Sequence, residues 1–197
     1  MPQLQNSNGT KGRCLALYPG AFRPPHEAHF TAVLDLVSRP SIDEVIVIIS
    51  NRARSIPGTT LALDATIAKR IWSIYLQDIE KVRVEIASHT TVAHALGYFD
   101  RLDAGDMLVF CLGEADIGQG DDRFRHLDAL ATQSGIQAKI IHAPTGSIPT
   151  RSTSLRATLA QGLTGQEEFM TALPTHLTQI QREEVWRVCQ EGMRGMI

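Results

Sequence analysis

The run Glu-Val-Ile-Val-Ile-Ile-Ser at residues 44–50 constrains the fold more than any other part of the chain. It is continuously apolar over its middle and rich in β-branched residues, which is typical of a strand covered on both faces. Strands of that kind occur in parallel sheets, because helices pack on both sides of such sheets. We therefore expect an α/β layer structure around this strand.

Four further segments predict strands, and helical segments separate them. The strands are expected at residues 13–18, 82–87, 106–112 and 138–142, and helices at 27–37, 63–76, 92–102, 121–133 and 152–161. Strands that alternate with helices indicate a Rossmann-like, doubly wound, five-stranded parallel α/β sheet. Ligands of such sheets bind at the carboxyl ends of the strands. The loops at those ends should therefore carry the chemistry.

The length of 197 residues suits one domain with a sizeable core. Residues 1–12 are polar and without periodicity, so we expect a flexible N-terminal tail, followed by a domain at 13–197 whose last part, 163–197, is a C-terminal helical segment. A formal net charge of −2 gives no indication of a nucleic-acid partner. No run is long enough for a membrane span and no signal region is visible, so we expect a cytoplasmic protein.

The three cysteines, Cys14, Cys111 and Cys189, have neither CxxC spacing nor the Cys/His spacing of a metal site. Two of them lie in apolar runs that predict buried strands. We expect all three to be reduced packing residues, and we predict no metal-ligating residues.

The loop after the first strand predicts a phosphate site. Gly20 allows close approach of a ligand to the backbone, and Pro24 and Pro25 prevent the helix from beginning before about His26. His26 and His29 then lie at positions i and i+3, on one face of the first turn. Unpaired N–H groups and the helix dipole favour a phosphate at such a turn.

The residues Gly20-Ala-Phe-Arg-Pro-Pro-His26-Glu-Ala-His29 resemble the G-x-F-x-P-x-H-x-G-H signature of the nucleotidylyltransferase superfamily, which includes nicotinamide-mononucleotide, phosphopantetheine and cytidylyl transferases. Ala28 stands where the family has glycine. The resemblance implies that 13–197 is a nucleotidylyltransferase domain. It also implies catalytic roles for His26 and His29, and nucleotide binding by Gly20, Ala21 and Phe22.

Two later segments also resemble boxes of this superfamily, although each alone is as well explained by a loop or a helix cap. Gly113-Glu-Ala-Asp116 follows a predicted strand and is similar to the family's G-x-D segment. Thr150-Arg-Ser152-Thr153-Ser-Leu155-Arg156 resembles the I-S-S-T-x-I-R box, and Ser152 also predicts a helix N-cap. The resemblance implies nucleotide binding by Gly113, Asp116, Ser152 and Thr153, and a catalytic role for Arg156.

Enzymes of this family, as the resemblance implies, join an NTP to a phosphate-bearing acceptor and release pyrophosphate. His29 would then donate to the α-phosphate and His26 to the β- and γ-phosphates, while Arg156 holds the leaving pyrophosphate. Mg²⁺ would bind mainly through substrate phosphates and would need no carboxylate cage. For the acceptor phosphate, the loop after 44–50 offers Arg52 and Arg54, of which Arg52 is our choice, and Arg23 is a second candidate.

Within the family, the box that ends at Arg156 resembles adenylyltransferases more than cytidylyltransferases, so the resemblance implies ATP as the nucleotide, and it implies nicotinamide mononucleotide as the first choice of acceptor. Two alternatives stay open. One is a cytidylyltransferase that acts on a phosphorylated alcohol or a phosphonate, and the other is a nucleotide-binding module without catalysis. A class I aminoacyl-tRNA synthetase fragment is set aside, because no K-M-S-K-S-like loop is present. The expected partners are an NTP and a small phosphorylated acceptor, with neither nucleic acid nor membrane, and homo-oligomerisation is left open.

Overall fold

The computed structural model describes residues 12–113, 124, 126–144 and 151–194. Its five-stranded central sheet is parallel throughout, in the order β5-β2-β1-β6-β7. The strands of this sheet are β1 (Cys14–Gly20), β2 (Glu44–Ile49), β5 (Val82–Ile86), β6 (Met107–Leu112) and β7 (Gln137–His142). Two further strands, β3 (Arg54–Ser55) and β4 (Ala62–Leu63), pair in antiparallel fashion after β2. Except for Gly12, the predicted tail lies outside the described residues.

Helices connect the strands and follow the last one. Those between strands are α1 (Glu27–Ser38), α2 (Ala65–Tyr75), α3 (Thr91–Leu96) and α4 (Leu127–Ser134). The C-terminal segment contains α5 (Ser152–Ala160), α6 (Gln166–Thr171) and α7 (Gln179–Arg194), and 3₁₀ turns occupy Gly97–Asp100 and Gly162–Gly165. None of the helices in the described residues is both long and apolar enough to cross a membrane.

Chain order along the sheet reverses between β1 and β6. From β1 the chain moves outward through β2 to β5, then returns to the other side of β1 and continues through β6 to β7. This is a doubly wound topology, and the reversal point is where ligands bind in sheets of this class. The fold class that we predicted from the sequence is therefore confirmed.

Side chains alternate between two cores along β1. Ala16 and Tyr18 belong to the core formed with α1, α2 and α7, whereas Leu15 and Leu17 belong to the core formed with α3 and α4. In β2, residues 45–49 are all fully buried. A central strand with helices on both faces explains why its sequence is apolar at consecutive positions rather than at every second one.

Several element boundaries differ from the predicted ones, for local reasons. The helix predicted at 63–76 begins at Ala65, because the carboxylate of Asp64 accepts a hydrogen bond of 2.9 Å from the N–H of Ile67 and caps it. The helix predicted at 92–102 ends at Leu96 and continues as a 3₁₀ turn. Strands β3 and β4 were not predicted, because two residues are too few to show a period.

The three cysteines are buried, which agrees with the packing role that we predicted for them. Burial raises the pKa of the Cys111 thiol to about 12 and also raises the pKa of Cys189. Thiols with raised pKa values carry little thiolate at neutral pH, which suits packing rather than reactivity.

A glycine pair tests how tightly the C-terminal segment packs. A Cβ at Gly165 would lie 2.2 Å from the carbonyl oxygen of Thr158, whereas Gly97 has open space and a φ of −61°. Gly165→Ala should lower the free energy of unfolding by about 1–3 kcal/mol, since backbone must move. Gly97→Ala should leave it unchanged or raise it by up to about 1 kcal/mol. Urea unfolding followed by circular dichroism measures both, and equal values would contradict the packing described.

Candidate active site at the sheet switch point

A cavity of about 330 Å³ lies at the carboxyl edge of the sheet. It is lined by the ends of β1, β2 and β6, including Gly20, Ala21, Ser50, Arg54 and Leu112. Two larger cavities, of about 510 and 580 Å³, lie around Leu163 in the C-terminal segment. We regard the smaller cavity as the candidate site, because it lies where the chain order reverses and because the predicted loop borders it.

Phe22 shapes the loop at residues 21–26. Its φ of 53° is in the left-handed region, and its side chain is 3% exposed. A Cβ on Gly20 would come within 2.5 Å of the Phe22 ring. The structure thus gives a reason for this glycine other than close approach of a ligand: it leaves space for the Phe22 ring.

The two histidines lie against each other at the beginning of α1. Their ring centroids are 3.8 Å apart, and the backbone N–H of His26 donates to Nδ1 of His29 over 3.3 Å. A nitrogen that accepts carries no proton, so this hydrogen bond places the proton of neutral His29 on Nε2. His26 is 4% exposed, and its Nδ1 has no hydrogen-bond partner. Both side chains therefore retain polar atoms for a ligand.

Burial keeps both imidazoles neutral. It lowers the pKa of His26 to about 4, and burial together with the neighbouring His26 lowers the pKa of His29 well below its usual value. At neutral pH the pair presents N–H donors without a net charge. A bound phosphate would favour the protonated forms and would raise both pKa values.

Arg23 joins the ends of β1 and β2. Its side chain is fully buried, and its guanidinium donates to the carbonyl oxygens of Ser50 and Ala21, while Nε has no partner. Burial and, after it, the nearby Arg54 lower the pKa of Arg23 to about 10. A side chain held in this way supports the first loop and is not a solvated loop residue. Like His26, His29 and Arg156, it lies near the cavity's loop but is not among the described residues that line the cavity.

Arg156 brings the third sequence box to the first loop. Its guanidinium donates to the carbonyl oxygens of Arg23 at 2.7 Å and Ser55 at 3.0 Å, and to the hydroxyl of Thr153 at 3.1 Å. The hydroxyl of Ser152 donates to the carbonyl oxygen of Pro24 at 3.0 Å. Segments more than 120 residues apart in sequence therefore meet at one edge, as the parallel sheet predicted.

Three guanidinium groups cluster at this edge among the described residues. Arg23, Arg54 and Arg156 form no ion pair with a carboxylate in the part of the chain that the structure describes, although Asp64 is close enough to oppose the pKa shift of Arg23. Arg54 contributes to the lowered pKa values of both other arginines. Clustered guanidiniums without carboxylate partners favour an anion, and their fork geometry suits phosphate.

The structure places the other predicted residues as follows. Arg52 is exposed and is not among the described residues that line the cavity, whereas Arg54 is. Gly113 directly follows β6, and Asp116 lies outside the described residues. Ser152 is not the N-cap that we predicted: the cap is Arg151, and Ser152 is the first residue of α5. Its hydroxyl bonds across to the first loop instead of capping its own helix.

Sequence reasoning did not single out two aromatic residues of α2 that reach this site, Trp72 and Tyr75. The hydroxyl of Tyr75 donates to the carbonyl oxygen of Pro25 over 3.0 Å, and Trp72 contacts Phe22. Tyr75 was predicted only as part of an apolar helix face. A helical period identifies a buried face but does not reveal what that face touches.

A divalent cation has few direct ligands here. Among the described residues no group of three or more His, Cys, Asp or Glu side chains is placed to hold a metal ion. The side chains around the first loop, His26, His29, Arg23 and Arg156, are donors. These side chains are hydrogen-bond donors and not the oxygen ligands that Mg²⁺ prefers, so they fit Mg²⁺ only when the ion is bound to the phosphate oxygens of a substrate.

The chain matches no protein-family model and no curated protein. Its structure is similar to that of nicotinic acid mononucleotide adenylyltransferase from Plasmodium falciparum complexed with NaAD. The TM-score is 0.58 and the identity 15%, over 89% of this chain and 95% of that one. The same enzyme complexed with APC gives a TM-score of 0.57 and an identity of 13%, over 89% of this chain and 95% of that one. Thermotoga maritima TmcAL bound with alpha-thio ATP gives a TM-score of 0.54 and an identity of 14%, over 93% of this chain and 56% of that one.

These similarities show that the chain has the nucleotidylyltransferase fold. The resemblance that we drew from the sequence motifs is thereby confirmed at the level of the fold. The adenylyltransferase from Plasmodium falciparum shares it over nearly its whole length.

The buried imidazole of His26 should make stability depend on pH. Its pKa is about 4 in the folded chain and about 6.5 when unfolded, so between these values the unfolded state binds more protons. The free energy of unfolding should therefore fall as the pH falls from 6.5 to 4, with His26 contributing on the order of 3 kcal/mol of that loss. Urea unfolding of the wild type and of His26→Asn between pH 7 and 4.5 measures this contribution. Identical pH dependence in both proteins would contradict the assignment.

Proposed function

We propose that the chain is a nucleotidylyltransferase that transfers a nucleotidyl group, preferably AMP, from an NTP to the phosphate of a small acceptor and releases pyrophosphate. One observation carries the proposal. Among the described residues, two neutral imidazoles and three arginines that form no ion pair with a carboxylate lie together at the switch point of a sheet with this fold. Nicotinamide mononucleotide is the first acceptor to test, because the P. falciparum enzyme with a similar structure is named for a closely related mononucleotide.

In the proposed reaction, an oxygen of the acceptor phosphate attacks the α-phosphorus of the NTP in line, and the bond to the pyrophosphate oxygen breaks. Negative charge builds on the phosphoryl oxygens, so catalysis needs alignment and hydrogen-bond donors rather than a covalent intermediate. His29 would donate from Nε2 to the α-phosphate, and His26 would donate to the β- and γ-phosphates. A neutral imidazole still carries one N–H, so each histidine can act as a donor without first taking up a proton.

The leaving pyrophosphate would be held by the C-terminal box. Arg156, Ser152 and Thr153 would provide a guanidinium and two hydroxyls. In the structure these groups bond to loop carbonyls and to each other, so a triphosphate would have to replace or share some of these bonds. The backbone of Gly20, Ala21 and Phe22, together with Gly113 and Asp116, would bind the rest of the nucleotide.

We assign the acceptor phosphate to Arg54 in preference to Arg52, because Arg54 lines the cavity. Arg23 would support this phosphate from below with its free Nε. Mg²⁺ bound to the phosphates would neutralise part of their charge. A cytoplasmic location remains a prediction from the sequence.

The direct test is pyrophosphate release. Purified protein with Mg²⁺ should release pyrophosphate from one of the four NTPs when a suitable acceptor is present. The acceptors to screen are nicotinamide and nicotinic acid mononucleotides, phosphopantetheine, phosphocholine and a phosphonate. Release from ATP alone would support the adenylyl assignment, and release from CTP would support the cytidylyl alternative. NTP binding without release from any acceptor would favour a binding module.

His29→Ala should lower kcat by about 10² or more, since the variant lacks a donor to the transition state. His142→Ala is the matched control: His142 is exposed at the end of β7 and is not among the described residues that line the cavity. Its kcat should stay within about twofold, a change worth about 0.4 kcal/mol. Equal rates for His29→Ala and the wild type would remove the donor role.

The two arginines of the loop after β2 provide a paired test. Arg54→Ala should raise the KM for the acceptor about tenfold or more, because a charge-assisted hydrogen bond to phosphate is lost. Arg52→Ala should change it much less. Steady-state kinetics with the acceptor varied at saturating NTP measures both, and the opposite ranking would return the role to Arg52.

A further inference from the structure

Two aromatic side chains of α2 contact the loop at residues 21–26. The hydroxyl of Tyr75 donates to the carbonyl oxygen of Pro25, directly before His26 in the chain, over 3.0 Å. The Trp72 ring meets the Phe22 ring in a T-shaped arrangement with centroids 5.6 Å apart. The Trp72 and Tyr75 rings also contact each other at 5.8 Å. Both side chains are fully buried.

Phe22 contacts His29 as well as Trp72, so it connects Trp72 to that imidazole. Its ring packs edge-to-face against the His29 imidazole, with centroids 5.0 Å apart and planes at 87°. A φ of 53° is strained for a residue with a side chain, so neighbouring contacts must hold Phe22 there. Trp72 on one side and Tyr18, at 5.0 Å, on another provide those contacts.

We infer that Trp72 and Tyr75 are positioning residues that set the orientation of the His26 and His29 imidazoles for phosphate binding. The inference rests on the proposed function for its role in catalysis. Trp72 acts through the Phe22 ring on His29, and Tyr75 acts through the Pro25 carbonyl on the backbone from which His26 follows. We name these two residues the aromatic bracket.

The chemistry of the aromatic bracket suits this role. Burial raises the pKa of Tyr75 well above its usual value, so its hydroxyl remains a donor over the whole working range of pH. The indole Nε1 of Trp72 is buried and has no hydrogen-bond partner. An unsatisfied buried N–H carries a desolvation cost that lowers stability. A phenylalanine or leucine at this position would avoid that cost, so we attribute the tryptophan to the shape of its ring against Phe22.

Core packing alone is the competing explanation, because both residues also belong to the core between α1, α2 and the sheet. A packing role would lower stability without changing the histidines. A positioning role would change the titration of the imidazoles and would lower kcat more than it raises KM. These readouts separate the two explanations.

The experiment uses Tyr75→Phe, Trp72→Leu and Trp72→Phe in the full chain, with Trp186→Leu as the matched control. Trp186 is also buried and packs against Phe169, in the C-terminal segment. Thermal unfolding measures the folded fraction. NMR titration of the histidine Cε1–H signals measures protonation of the imidazoles without any substrate. Steady-state kinetics with the NTP and acceptor found active measures kcat and KM.

Trp72→Leu should move the His29 titration upward by at least about one pH unit, as water reaches the ring, and should lower kcat about 10²-fold. Trp72→Phe should change both the His29 titration and kcat less than Trp72→Leu does. Tyr75→Phe should shift the His26 titration measurably and lower kcat about tenfold with the KM for NTP within about threefold, because the hydrogen bond that holds the backbone before His26 is lost. Trp186→Leu should lower stability and leave the histidine titrations and kcat unchanged.

Histidine titrations like those of the wild type in Tyr75→Phe and Trp72→Leu would overturn the inference. If Trp72→Leu does not fold, Tyr75→Phe and Trp72→Phe decide the question in the same way. Should the wild type release no pyrophosphate from any substrate pair, the titrations still test the aromatic bracket. If the wild type is inactive and the variants still show altered histidine titrations, the proposed function is overturned, but the positioning role of the aromatic bracket is not.

Discussion

The buried guanidinium of Arg23 is the interaction on which the arrangement of the site depends. It bonds to the carbonyl oxygens of Ala21 and Ser50, and so it joins the ends of β1 and β2 below the candidate site. Its own carbonyl oxygen accepts a hydrogen bond from Arg156, which brings α5 to the same loop. One residue thus connects three loops that are distant in sequence. Arg23 therefore holds in place the loop that leads to the imidazoles and that bonds to Arg156.

The site combines features that are unfavourable for stability. Two imidazoles are held neutral by burial, three guanidiniums lie close together with no carboxylate partner among the described residues, and Phe22 has a positive φ. Each feature raises the free energy of the ligand-free chain, and a polyanionic ligand would relieve the first two. Local conflicts of this kind concentrate at functional sites, while the rest of the fold is locally consistent. The aromatic bracket supplies packing that holds the strained loop in place.

The sequence predicted part of the site and missed another part, for identifiable reasons. His26, His29 and Arg156 were found because their spacing and order match a signature. Arg52 was preferred to Arg54 although only Arg54 of the two lines the cavity, because two charged residues in a short loop look alike until its path is known. Tyr75 was seen only as part of an apolar helix face, and Trp72 was not singled out. Ser152 was predicted as a cap of its own helix. Its actual partner, the carbonyl oxygen of Pro24, is 128 positions away in the sequence, and local sequence patterns do not reveal a partner at that separation.

The sequence by itself determined the layers of the fold. Apolar runs of strand length, separated by helical periods, allow only a sheet with helices on both faces, since no other arrangement buries the run at residues 44–50 on both sides. The tertiary structure alone decided which groups share the site and in which protonation state. Burial of His26 and the proximity of Arg54 to Arg23 come from packing across the chain. Desolvation and Coulomb interactions depend on distances in space, which order along the chain does not specify.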